Sequence, residues 1–331
     1  MIKMSSCFKT ALLIFALIAI STNNILANNQ AAIENNRLTY KLIFDYSDNF
    51  VYKYFYNENT DIKREYSDKS KFNFSRNVNI YFHYKSFEMN KAGFQTIDVV
   101  TDSIRHTLDS AGKKKWNFFT KDPNCFDHYN RDIAVYNLNV GRAYKYVISP
   151  YFEIADIVPS QVMINDIALI DSSKSSMKPD KFIMFRNALS KPFINQFTDV
   201  KKIDYPINRV PKDSVWKSNI DFVINGVQFN DTVEVKFLDE RGGFYIMESE
   251  FYMNKFIKNQ TIIYGPAQTI SEPTSANLKC KLTLTLNSLG TVDETVLTAE
   301  GTMSFINQEN KAFTDYIKTQ MLWKADGRFK Y

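Results

Sequence analysis

Polar and apolar positions alternate with a period of two along most of the chain, the spacing that puts successive side chains on opposite faces of a β-strand. The pattern is clearest from Asp213 to Phe251. Ile220, Phe222 and Ile224 lead into Asn225-Gly226, a two-residue type I′ turn signal. A tight turn there sets Ile224 opposite Val227 and Phe222 opposite Phe229. Val233, Val235 and Phe237 then share one face, Glu234 and Lys236 the other, and Arg241-Gly242-Gly243 turns the chain again.

The same period runs through the first half. Arg37 to Tyr46 and Phe50 to Tyr56 read as strands, with Tyr52, Tyr54 and Tyr56 on one face. From Lys71 to Tyr84, Phe72, Phe74, Val78, Ile80 and Phe82 point one way and Asn73, Ser75, Asn77 and Asn79 the other. Arg76 falls on the apolar face and reads as a solvated edge residue, snorkelling at a rim or meeting a carboxylate. Strands follow through Ile97, Val99 and Ile104, and again from Arg131 to Ile148. The period changes between Phe152 and Val200, the one stretch that reads as substantially helical. Asp180 is placed to cap Lys181 to Leu189, and Pro192 forces a restart before Phe193, Ile194 and Phe197. After a Pro-containing loop, Gly265 to Asn277, alternation resumes to Trp323.

These elements predict a mainly β fold: two antiparallel meander sheets, of sandwich or half-barrel type, with a central helical insert. The division is 28–150 for the first sheet region, 151–201 for the insert and 202–331 for the second sheet region. Residues 1–27 read as a signal peptide: Lys3 and Lys9 form a basic start, Ala11 to Ile20 an apolar run, and the segment ends at Ala27. The apolar run is shorter than the roughly 20 residues a spanning helix needs. The expected location is therefore exported, periplasmic or secreted, with no transmembrane segment after cleavage.

Composition refines this picture. The 331 residues are 44% hydrophobic and include 27 Phe and 19 Tyr, a supply of side chains suited to pleated, half-buried surfaces. Net charge is +5, of which the two lysines of the leader account for part, leaving about +3. So balanced a chain gives no basis for a nucleic-acid partner. Cys125 and Cys280 remain after cleavage, and a disulfide between them stands beside the alternative of a lone buried thiol at Cys280.

Chemistry-bearing motifs are sparse. His83, His106 and His128 are too scattered for a metal or triad spacing, and no metal or other cofactor is expected. Cys125-Phe126-Asp127-His128 gathers a thiol, a carboxylate and an imidazole, against which stands an ordinary surface loop. Lys113-Lys114-Lys115 beside Trp116 reads as a grip for an acidic polymer or, more plainly, as a basic turn. Asn73, Asn230 and Asn259 open glycosylation sequons.

The run Leu38 to Tyr46, the segment Tyr144 to Ile157, the start Pro211-Lys212-Asp213-Ser214-Val215-Trp216 and the closing pair Leu297 to Phe305 and Tyr316 to Lys324 resemble an uncharacterised, domain-of-unknown-function family of exported bacterial β-rich proteins. The resemblance implies an envelope location and a sheet-rich fold, without an assigned activity. In architecture the chain is also similar to half-barrel lipoprotein carriers of the periplasm.

The leading functional expectation is a non-enzymatic envelope protein that binds an apolar, lipid-like ligand or a partner surface. Phe72, Phe74, Phe82, Phe222, Phe229 and Phe237 would line its cavity. The alternative for these rings is a filled sandwich core. Two other readings remain: an interaction module that recruits an envelope protein through edge strands, and a hydrolase of unrecognised type.

Overall fold

The computed structural model describes residues 32–34, 37–42, 46, 50–87, 89–111, 114–122, 130–150, 153–264 and 269–330. The expected leader and the Cys125-to-His128 cluster lie outside these residues. So does the Cys125 half of the expected bridge.

The first half contains β1 (Ala32–Glu34), β2 (Arg37–Tyr40), β3 (Phe50–Tyr66), β4 (Lys71–Ser86), β5 (Gln95–Ser110) and β6 (Lys114–Phe119). Helix α1 (Arg131–Asn137), β7 (Ala143–Ile148), β8 (Ile154–Pro159), α2 (Gln161–Ser172), α3 (Pro179–Ala188) and α4 (Lys191–Thr198) follow. The second half contains β9 (Val210–Pro211), β10 (Val215–Ile224), β11 (Val227–Arg241), β12 (Phe244–Met253), β13 (Ile262–Tyr264), β14 (Thr269–Asn287), β15 (Val292–Asn307) and β16 (Ala312–Lys330).

Both expected meanders form, and the fold is mainly β and antiparallel. They are joined edge to edge. β16 pairs with β3 from Phe313↔Tyr66 to Lys330↔Phe50. A thirteen-stranded sheet results, in the order β10-β11-β12-β14-β15-β16-β3-β4-β5-β7-β8, with β13 beside β14 and β6 beside β5. It does not close into a barrel, so β10 and β8 are its ends. Strands β1, β2 and β9 form a separate three-stranded sheet. The opening hairpin has the register its turn dictates, Phe222↔Phe229 and Ile224↔Val227, with positive φ at both Asn225 and Gly226.

Period-two alternation gives the sheet two unlike faces. On β3 and β4 the even-numbered side chains from Tyr52 to Arg64 and from Phe74 to Ser86 are buried, and on β16 the odd-numbered ones from Phe313 to Trp323. The helices lie on this inner face and share one core with it. Helix starts are set by local chemistry: the Ser160 side chain accepts from Met163 N, and Ser190 from Phe193 N.

Four local readings change. Residues 131–137 are helical rather than extended, because Asn130 caps the turn by accepting from Asp132 N and Ile133 N. Residues 154–159, inside the stretch read as helical, form β8. Asp180 sits in the first turn of α3, which starts at Pro179 with Lys178 as its cap. The expected loop up to Asn277 is already strand from Thr269, and Pro273 is tolerated there at a bulge.

Candidate functional site

The inner face is packed by rings. Five of the six expected cavity residues, Phe74, Phe82, Phe222, Phe229 and Phe237, are buried in the core, and Phe72 is half-buried beside Phe74 at a ring distance of 5.9 Å. Phe82 stacks on Tyr54 at 5.7 Å, Phe222 lies 6.4 Å from Trp323, and Phe229 lies 6.5 Å from Phe256. Phe237 meets Tyr40 edge-on at 5.1 Å. Each of these rings therefore has a protein neighbour.

Helix α4 occupies the middle of this face. The buried Gln196 accepts from Val223 N of β10 at 2.9 Å, and its Nε2 donates to Met321 Sδ of β16 at 3.0 Å. Its backbone carbonyl accepts from Trp323 Nε1 at 3.1 Å and from Lys202 Nζ at 3.1 Å. The next residues continue the attachment. Tyr84 and Tyr144 bond to the Thr198 carbonyl and hydroxyl, and Thr295 Oγ1 donates to Val200 O at 2.7 Å. Amide and hydroxyl groups that would be costly to bury alone are matched against β4, β7, β10, β15 and β16.

Arg76 is fully buried, not at a solvated edge. Its guanidinium donates twice to Glu58 Oε1, at 3.1 and 2.7 Å, and once to Asp132 Oδ1 of α1 at 3.1 Å. Glu58 also accepts from Tyr56, Thr60 and Tyr136 at 3.0, 2.9 and 3.1 Å. His106 Nε2 stands 3.1 Å from Asp132 Oδ2. A second buried pair, Arg64 and Asp315, is bidentate at 2.7 and 2.9 Å under the Phe313 ring. These networks fix α1 to the sheet and, through Asn225 Nδ2 donating to Asp315 Oδ2 at 3.3 Å, the hairpin turn as well.

The outer face is different. It is polar, and two β-bulges shape it. On β5, Tyr81 pairs with Ser103 and Phe82 with Thr101, which leaves Asp102 as the extra residue. On β16, Ala325 pairs with Tyr54 and Gly327 with Lys53, which leaves Asp326 as the extra residue. A bulge adds one residue to a strand and so reverses which parity faces outward. Odd positions of β16 point into the core up to Trp323, yet Phe329, beyond the bulge and opposite Val51, is exposed.

Both extra aspartates line the same groove, of about 1010 Å³. Its floor is β3 and β4, through Lys53, Asn79 and Tyr81, and its walls carry His83, Arg105, Phe119, Lys121 and Phe329. Asp102 holds the His83 ring, with Nδ1 2.9 and 3.0 Å from its two oxygens. Lys53 lies over the Phe329 ring at 4.9 Å and Arg105 over Phe119 at 5.1 Å, so each cation is held against an aromatic face. Tyr81 is 40% exposed and Phe329 47%, which makes them the two accessible rings of the site.

Four asparagines continue the floor as a closed ring. Asn57 donates to Asn79, Asn79 to Asn77, Asn77 to Asn59 and Asn59 back to Asn57, at 2.9, 2.7, 2.5 and 2.6 Å. Beyond Asn59 a second groove, of about 700 Å³, is lined by Asp61, Glu250, Lys279, Lys318 and Gln320. A third, of about 400 Å³, shares Asp61, Glu300 and Lys318 with it and extends to Lys63 and Asn73. Sequence reasoning passed over this face because alternation marks it only as the wet side. The signal that was present is the switch from odd to even inward positions between Val99 and Ile104, which betrays the bulge at Asp102.

Among the described residues no helix is long and apolar enough to cross a membrane, a statement that does not extend to strands. No protein-family model matches the chain, and no curated protein matches it. Among solved structures the chain is similar to lipovitellin, described for its lipid–protein interactions, at 9% identity and a TM-score of 0.39. That match covers 86% of this chain and 26% of the other, so this chain spans about a quarter of lipovitellin's length. It is similar to an outer membrane channel from Pseudomonas putida at 8% identity and a TM-score of 0.21, over 86% and 97% of the two chains. It is similar to a DUF1329 family protein from Desulfovibrio piger at 11% identity and a TM-score of 0.14, over 83% and 85%.

Proposed function

We infer that this is an exported, non-catalytic binding protein of the cell envelope, and that its ligand site is the outer groove between Asp102 and Asp326 rather than the aromatic interior. The observation that carries the reading is the coincidence of two bulges on one groove, each contributing an aspartate as its extra residue. Bulges re-aim side chains at functional sites and cost ladder hydrogen bonds that a purely structural strand keeps. Export rests on the basic and apolar pattern of residues 1–27. An interior apolar ligand would have to displace α4 and the bonds Gln196 makes to β10 and β16.

Native mass spectrometry of the protein purified from its exporting host tests this reading. The expected result is a bound species that is lost when Asp326 is deleted, since the deletion closes the bulge and takes its carboxylate out of the groove while Phe329 stays opposite Val51. A co-purified lipid that survives the deletion would return the site to the interior and overturn the assignment.

A further inference from the structure

We propose that the outer face binds a neutral, extended oligosaccharide, laid along β3 and anchored between Tyr81 and Phe329. The inference rests on the outer-face reading and names its ligand class. Three features of the face select that chemistry. First, the grooves follow one another in file: the largest touches β3 at residues 51–54, the next at Asn59 and Asp61, and the third at residues 61–63. At about 3.3 Å per residue the track is roughly 40 Å long, suited to a linear chain rather than a compact molecule.

Second, the exposed rings stand on opposite sides of the floor. Tyr81 is on β4, packed against Phe55 at 5.2 Å, and Phe329 comes from β16 across β3. The negative face of an aromatic ring attracts polarised C–H groups, and a pyranose offers a flat face of them. The surrounding hydroxyls need planar donors and acceptors, which Asn79, His83, Asp102, Arg105 and Asp326 supply.

Third, charge excludes the main competitors. Lys53, Arg105 and Lys121 face Asp102 and Asp326 in the same groove, and two of those cations already rest on ring faces. A polyanion would find two of the three cations already engaged on ring faces and would meet two carboxylates beside them. An acyl chain would strip water from five charged groups without returning a hydrogen bond, a cost that burial of its methylenes does not offset. A neutral polyhydroxylated chain hydrogen-bonds to these groups and adds no charge of its own.

Titration calorimetry of the mature chain against xylohexaose, cellohexaose, mannohexaose and chitohexaose tests the proposal, with an alginate hexamer and phosphatidylglycerol vesicles as comparators. At least one neutral hexasaccharide should bind, and its trimer should bind more weakly. Tyr81→Ala and Phe329→Ala should each weaken binding tenfold or more while the far-ultraviolet circular dichroism and the melting temperature stay at the parent values. Failure of all four neutral sugars, or binding that ignores both substitutions, overturns the assignment. If alginate or vesicles bind instead and deletion of Asp326 abolishes that binding, the outer-face reading stands and the sugar falls. If no probe protects β3 and β4 from hydrogen exchange, both fall.

Discussion

Arg76 and Glu58 are out of register, since Arg76 pairs with Thr60 on β3, yet the guanidinium reaches back along the strand to make two hydrogen bonds to one Glu58 oxygen. Its remaining arm goes to Asp132, so one buried cation serves two buried carboxylates. Removing it leaves both without their counter-charge. Arg76→Ala should cost about 3–5 kcal/mol in urea unfolding. Arg76→Lys should recover little of this, because a point ammonium cannot span both partners. Recovery of parent stability by Arg76→Lys would show that charge alone, not the fork, holds the cluster.

Stability should rise with pH above neutrality and then collapse. Burial pulls the Lys202 ammonium down to about 8. The unfolded chain, with an ordinary lysine near ~10.4, therefore holds more protons than the fold in the window between, and unfolding becomes harder as pH climbs through it. Burial acts oppositely on Tyr46, Tyr84, Tyr146 and Tyr205, whose hydroxyls are held well above the usual tyrosine range. Above ~10 the unfolded chain loses tyrosine protons that the fold retains, and stability falls. Melting temperatures from pH 7 to 11 should pass through a maximum at about 9–10, and Lys202→Met should shrink the rising limb to the part that Lys201, also lowered by burial, contributes.

Cys280 should be unreactive in the folded protein. Burial pushes its thiol up to about 12, and its Sγ lies 3.6 Å from the Leu278 carbonyl on the inner face of β14. The thiolate that attacks an alkylating reagent is then scarce at ordinary pH. Peptide mass spectrometry after iodoacetamide at pH 8 should find the Cys280 peptide unmodified until denaturant is added. A Cys280–Cys125 linked peptide in the unreduced digest would instead establish the bridge.

Gly301 should tolerate no side chain. On β15 a Cβ there would stand 2.0 Å from the Asn277 carbonyl oxygen, a backbone atom that cannot move aside. Gly301→Ala should lower stability by about 2–4 kcal/mol, in the range of buried steric faults. Parent-like unfolding of this variant would show that β14 and β15 can separate locally at low cost.

The scaffold was legible where a buried face repeats every two residues. The Asn225-Gly226 turn and the Phe222 and Phe229 pair followed directly from local pattern. Helix α1 was not legible: Ile133 and Val135 fit a strand as well as a helix over seven residues, and only the Asn130 cap decides. Arg76 was misplaced because a charged residue at an inward position has a solvated explanation until Glu58 and Asp132 are seen around it. The outer groove depends on two single-residue insertions, Asp102 and Asp326. A composition or periodicity reading registers such an insertion only as a blurred phase.

The pairing of β16 with β3 has a consequence for biogenesis. β16, the latest of the described strands in sequence, is a central strand of the sheet, with meanders on both sides of it. A nascent chain from which β16 has yet to emerge therefore holds two half-sheets with open edges and no seam. The long-range closure must wait for β16, and pairings across such sequence separation form slowly. Until then the edges of β3 and β15 stand open to pairing with another chain.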